Sequence, residues 1–164
     1  MFETRAIETE DKAEFYRELA LQLQALLEGE RDAIANAANM AALLFHTLPD
    51  LNWAGFYFLR GGELIVGPFQ GKPACVRIAL GRGVCGTAAA HGQSVLVDDV
   101  HAFPDHIACD AASRSELVVP LIVDGEVWGV LDLDSPLLAR FDAADQAGLE
   151  HLAAIYVASS DRRV

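Results

Sequence analysis

The sequence predicts an α+β domain: one mostly antiparallel sheet of five or six strands, with the N- and C-terminal helices packed on one face. Three observations carry that expectation. Helical periodicity dominates the two ends of the chain, the middle is built of short aliphatic and aromatic runs, and tight-turn signals join the runs at Gly61-Gly62 and Asp124-Gly125. The 164 residues are 52% hydrophobic, enough for one domain with its own core. No repeat, low-complexity tract or linker interrupts them, so 1–164 reads as a single domain with a core of about 16–158.

Residues of about 9–27 open the chain as an amphipathic helix, with Phe15, Leu19, Leu23, Leu26 and Leu27 at helical spacing. Gly29 interrupts, and a second helix runs to about Leu48 on a stripe of Ile34, Ala37, Ala41, Leu44, Phe45 and Leu48 before Pro49-Asp50 stops it. Trp53 to Leu59 and Leu64 to Val66 form a hairpin around Gly61-Gly62, and Cys75 to Leu80 reads as a third strand. A glycine-rich entry at Gly81-Arg82-Gly83 leads into a short helix that ends at Gly92. Val95 to Val97 is a short strand. The irregular chain from Asp98 to Ser115 is long for a compact domain and so reads as functional. Leu117–Val123 and Val127–Leu133 pair across Asp124-Gly125, and Asp142 caps a closing helix whose stripe is Leu149, Leu152, Ala153, Tyr156 and Val157.

Twelve basic against twenty-four acidic side chains leave a formal charge of −12. That balance argues against phosphate-backbone binding and against docking on anionic lipid, both of which need clustered cations. No apolar run reaches a membrane span, and Met1-Phe2-Glu3-Thr4-Arg5 does not resemble a secretory leader. Three cysteines are too few for a disulfide-stapled secreted scaffold, so a cytoplasmic protein with thiols in use is expected.

Local physics favours Cys85 among the thiols: it lies at a helix N-terminus, three residues from Arg82, where a thiolate is stabilised. Cys109 sits in the long loop three residues after His106, whose imidazolium would lower the thiol pKa, with Asp110 acting the other way. Cys75 says little alone and would matter as the partner of another thiol. Cys75, Cys85, His101, His106 and Cys109 offer metal ligands, but only His106 and Cys109 are tightly spaced, so no metal site is expected.

Asp132 and Asp134 alternate along a strand and so share a face, with Leu131 and Leu133 opposite. With Glu116 they would raise one another's pKa values, letting one carboxyl stay protonated as a donor. A strict two-residue turn would carry Glu116 opposite Leu133. A shared acidic site therefore requires a longer loop or a bulge that brings Glu116 opposite Asp134. Trp53 and Tyr57 also share a face, as core or as an aromatic wall for a ligand.

Several stretches resemble the free methionine-(R)-sulfoxide reductases, single GAF domains that act on the free amino acid. They are Asn52-Trp53-Ala54-Gly55-Phe56-Tyr57, Gly67-Pro68-Phe69-Gln70-Gly71-Lys72-Pro73-Ala74-Cys75 and Gly81-Arg82-Gly83-Val84-Cys85-Gly86. Val100-His101-Ala102-Phe103-Pro104, His106-Ile107-Ala108-Cys109-Asp110 and Leu131-Asp132-Leu133-Asp134-Ser135 complete the set. The resemblance runs from about Tyr16 to Ala154. It implies a GAF domain in which Cys109 is the catalytic thiol, Cys75 the resolving thiol and Cys85 auxiliary, the reverse of the local ranking. It implies that Glu116, Asp132 and Asp134 hold the substrate's ammonium and sulfoxide, and that Trp53 and Tyr57 face its methyl group. Backbone N–H groups around Ile107, Ala108 and Cys109 would hold its carboxylate. The implied cycle needs no cofactor: a sulfenic acid at Cys109 condenses with Cys75, and an external dithiol, thioredoxin, restores both thiols. The resemblance further implies a homodimer through the N-terminal helices. A small-molecule sensor module and a thiol redox switch without turnover are the alternatives.

Overall fold

The computed structural model describes residues 2–163. Helices α1 (Lys12–Leu27) and α2 (Ala33–Thr47) precede strands β1 (Trp53–Arg60), β2 (Glu63–Gly71) and β3 (Arg77–Ala79). Then come α3 (Gly83–His91), β4 (Val95–Val97), a single 3-10 turn (Val100–Ala102), β5 (Ser115–Val123), β6 (Glu126–Ser135) and α4 (Ala143–Ser159). The six strands form one sheet in the order β3-β2-β1-β6-β5-β4, every neighbouring pair antiparallel. The expected α+β class and sheet are therefore present.

The sheet separates two cores. On one face α1, α2 and α4 cover Ala54, Phe56, Phe58, Leu117, Val119, Leu121, Leu131 and Leu133. On the other, α3 packs with Trp53, Tyr57, Leu64, Ile78, Val118 and Val130. The alternation of strand side chains makes this division, and it places the odd-numbered leucines and the even-numbered acids of β6 on opposite sides.

Local chemistry sets the helix limits. The Asp11 side chain accepts from the N–H groups of Ala13 and Glu14, so α1 starts after residue 11 rather than at 9. Asp32 caps α2, whose buried stripe is Ala33, Ala37, Met40, Ala41 and Leu44. Ile34 sits one position around from that stripe and is 43% exposed, which corrects the expected face. Asp142 caps α4 as expected and forms a reciprocal capping box with Asp145. Asp145 also accepts from the Tyr16 hydroxyl (2.8 Å) and the Lys12 ammonium (2.6 Å), fastening α1 to α4.

Two registers matter for the site. The turn at Asp124-Gly125 is a tight one with both residues at positive φ (51° and 78°), and Val123 pairs with Glu126. One pair further on, Ile122 opposes Val127 but Leu121 opposes Gly129, so Trp128 is an extra residue and Glu116 comes opposite Asp134. The bulge that a shared acidic site required is present. Gly129 follows it, where a side chain would run into the Tyr57 carbonyl of β1. Strand β3 is shorter than expected and leaves Cys75 outside it. β2 runs on to Gly71, so residues 72–76 cross back over the sheet edge as irregular chain.

Candidate active site

The acidic site grows from the β5–β6 ladder on the α3 face. Glu116 opposes Asp134 and Val118 opposes Asp132, so the three carboxyl groups converge at one end of the sheet. Glu116 and Asp132 are each only 6% exposed. Burial raises the pKa of all three above the ordinary carboxylate range, and Asp132 raises Glu116 and Asp134 further. Asp132 is pushed up to about 6. Its Oδ1 is buried without a hydrogen-bond partner, an unusual state that invites a donor from a ligand.

The cavity above these acids has a volume of about 540 Å³ counting its open mouth. Trp53 and Tyr57 form one wall, their rings stacked with centroids 5.9 Å apart, as the shared strand face implied. Phe69 backs that wall without lining the cavity, stacked on Trp53 at 5.2 Å.

Cys109 roofs the cavity from the long loop and is joined to Cys75 by a disulfide, with Cα atoms 5.8 Å apart. The loop beside Cys109 is braced from the residue just before β1: Asn52 Nδ2 donates to Asp110 Oδ2 (3.2 Å) and to Ser113 Oγ (2.9 Å). Asp110 also accepts from the Ala112 N–H, and these hydrogen bonds hold its carboxyl below the usual range. Asn52 enters the sequence reading only as part of a family stretch and Ser113 not at all, since their role depends on a fold that brings residues 52 and 113 together.

Cys85 does line the pocket, but not as the activated thiolate that its helix position suggested. It is buried, 3.9 Å from Glu116 Oε1, and burial together with Asp132 and Glu116 pushes its thiol up. Arg82 cannot offset this because it turns outward to Asp105, 3.9 Å away. His106 is likewise not an imidazolium beside Cys109. Burial and His101 lower its pKa, and its Nε2 lies 3.8 Å from Glu116 Oε2. Ile107 lines the cavity and packs close to Gly83, whereas Ala108 is exposed and outside the lining. The Cys109 N–H donates to the Ile107 carbonyl (3.1 Å), so it is already engaged. Among the described residues, Cys85, Glu116 and Asp132 bring one ligand atom each within 4.8 Å of one another. Spacing in the sequence did not announce that cluster, because its members come from α3, β5 and β6.

The fold and the site together define the class: a GAF domain carrying a dithiol–disulfide pair over an acidic pocket. The GAF domain family matches residues 11–157. The free methionine-R-sulfoxide reductase of Escherichia coli is 54% identical over 144 residues, covering 88% of this chain and 87% of that protein. The Saccharomyces cerevisiae enzyme of the same name is 43% identical over 151 residues, covering 87% and 84%. The crystal structure of free methionine-R-sulfoxide reductase from Neisseria meningitidis in complex with its substrate superimposes with a TM-score of 0.92 at 47% identity, covering 97% of this chain and 95% of that one. This chain belongs to the free methionine-R-sulfoxide reductase family and is an oxidoreductase acting on sulfur groups.

Proposed function

We propose that this chain reduces free L-methionine (R)-S-oxide to L-methionine by thiol chemistry at Cys109. The observation that carries the reading is the Cys75–Cys109 disulfide lying over buried carboxyls, one of which has an unpartnered oxygen. An amino acid's ammonium group is the donor and the cation that Asp132 and its neighbours lack. A methionine sulfoxide within a peptide has no such charge.

In the first step the Cys109 thiolate attacks the sulfoxide sulfur, forming an S–S bond, while a protonated carboxyl of the acidic group gives its proton to the sulfoxide oxygen; that oxygen then passes to the Cys109 sulfur as the S–S bond breaks. Burial raises the pKa of Glu116 and of Asp134, and Asp132 raises both further, so the acidic group holds a proton more tightly than free carboxylates do. Methionine leaves, and its oxygen stays on Cys109 as a sulfenic acid: the sulfoxide sulfur has gained two electrons and Cys109 has lost two. The Cys75 thiol then displaces the hydroxyl as water, giving the disulfide, for which a Cα separation of 5.8 Å is well suited. An external dithiol, thioredoxin in this reading, exchanges with the disulfide and returns both thiols, so the electrons need no bound cofactor. Trp53 and Tyr57 enclose the methyl group, and the backbone N–H of Ile107, whose residue lines the cavity, takes the carboxylate. Such a cycle belongs in a thiol-reducing cytoplasm.

Dithiol-dependent consumption of the two free sulfoxide epimers tests this. Wild type should consume the R epimer and leave the S epimer, and Cys109→Ser should fall to background. Activity that survives Cys109→Ser, or tight binding of a cyclic nucleotide with no reduction, would overturn it.

A further inference from the structure

Tyr57 has two chemically distinct ends, and only one of them belongs to the pocket wall. Its ring stacks on Trp53 within the second core, and the residue is 2% exposed. Its hydroxyl passes the wall and donates to the carbonyl oxygen of Cys75 at 3.0 Å. Cys75 lies on the irregular chain between β2 and β3, where no strand ladder fixes the backbone. That chain is instead held by side-chain donors from β1. The Trp53 indole N–H donates to the Lys72 carbonyl (3.2 Å) three residues before the Tyr57 contact. Next to it, the Val66 N–H of β2 donates to the Val76 carbonyl (3.0 Å). Burial pushes the Tyr57 hydroxyl pKa up, so it stays protonated and a donor at any working pH.

We propose that the Tyr57 hydroxyl is a positioning residue for the resolving step, setting the peptide of Cys75 so that its sulfur faces Cys109. This rests on the reading of Cys75 as the resolving thiol. In that step the S–O bond of the Cys109 sulfenic acid breaks, the S–S bond forms, and the hydroxyl leaves as water with the proton of the Cys75 thiol. The reaction demands approach along one line, and a peptide free to rotate would meet it rarely. The contact is made by the hydroxyl alone, so Tyr57→Phe keeps the aromatic wall and removes only the anchor.

The test is a single turnover with enzyme in excess, following methionine release, sulfenic acid trapped by dimedone, and disulfide formed, each by mass spectrometry. In Tyr57→Phe, disulfide formation should slow about three- to tenfold more than methionine release does, the range expected for one lost hydrogen bond. Trapped sulfenic acid should rise accordingly. Trp53→Phe, which loses the more distant anchor at Lys72, should show the same imbalance to a smaller degree. Equal slowing of both steps in Tyr57→Phe, or no slowing of either, would overturn the proposal, because the hydroxyl would then act on the substrate or on nothing. Cys75→Ser separates this from the underlying reading. If it accumulates no sulfenic acid and recycles at the wild-type rate, Cys75 is not the resolving thiol, whatever Tyr57→Phe does.

Discussion

Asp145 and Asp132 are both almost wholly buried carboxylates, 1% and 6% exposed, and their surroundings differ completely. Asp145, on the helix side, receives the Tyr16 hydroxyl, the Lys12 ammonium, the Asp142 N–H and the Arg140 guanidinium. Asp132, on the α3 side, has Glu116 and Asp134 for neighbours and an oxygen with no partner. The first is a finished structural joint between α1 and α4. The second leaves a buried oxygen without a donor, the gap that the proposed substrate's ammonium group would fill. The comparison teaches that burial alone does not mark a functional carboxylate, and that incomplete satisfaction does.

The sharpest way to break this contrast is to neutralise Asp132. Asp132→Asn should lower kcat/KM for the free sulfoxide on the order of a thousandfold, the scale for losing one partner of a buried charge pair. Its thermal midpoint at pH 8 should match or exceed that of wild type, because a crowded buried charge has gone. A midpoint several degrees lower would show that Asp132 is as structural as Asp145. The converse change, Asp145→Ala, should cost about 3–5 kcal/mol in urea unfolding by leaving the largely buried Arg140 guanidinium and Tyr16 hydroxyl without their acceptor, while Lys12 keeps Asp142 and per-molecule turnover of the folded fraction stays near wild type. A large loss of turnover with unchanged stability would reverse the assignment of the two sides.

The third prediction concerns pH and is the smallest. Raised carboxylate pKa values mean that the folded chain binds protons more tightly than the unfolded one. Stability from Asp132 is therefore fully present below the ordinary carboxylate range and is lost as pH rises through about 6. Wild type should lose about 2–3 kcal/mol more than Asp132→Asn between pH 4 and pH 7, from a shift of roughly two units at 1.36 kcal/mol each. Added methionine should shrink that difference, since its ammonium group supplies the missing counter-charge. A difference that methionine leaves untouched would place the ammonium elsewhere.

Strand alternation makes much of this site legible in the sequence. The pairs Asp132/Asp134 and Trp53/Tyr57 follow from a period of two, and Asp142 announces its helix by chemistry that acts within one turn. Local physics misjudged Cys85 because a helix dipole can be inferred from sequence, while the buried acids that oppose it come from strands thirty and more residues away. The same holds for His106, whose expected partner was its sequence neighbour Cys109 and whose nearest carboxylate is Glu116. Ile34 differs for a simpler reason: the apolar pair at 33 and 34 fits a helical stripe either way, and the fold buries the small Ala33 and leaves Ile34 half-exposed. The motifs shared with a known family single out Cys75 and Cys109, the two thiols that the fold joins, across 34 residues of sequence that local physics does not bridge.

Trp128 gives the bulge in β6 a further meaning. Its indole is buried on the helix face, parallel to the Tyr156 ring at 5.7 Å and 5.3 Å from Phe58, yet it is the one residue that has no partner across the ladder. It acts as a half-period phase shift, and everything from Gly129 onward inherits the offset. A protein family can therefore retune this pocket without touching a pocket residue, by changing how firmly one indole is gripped on the far side of the sheet. Drift at Phe58 or Tyr156 would be felt first as a change in which carboxylates meet.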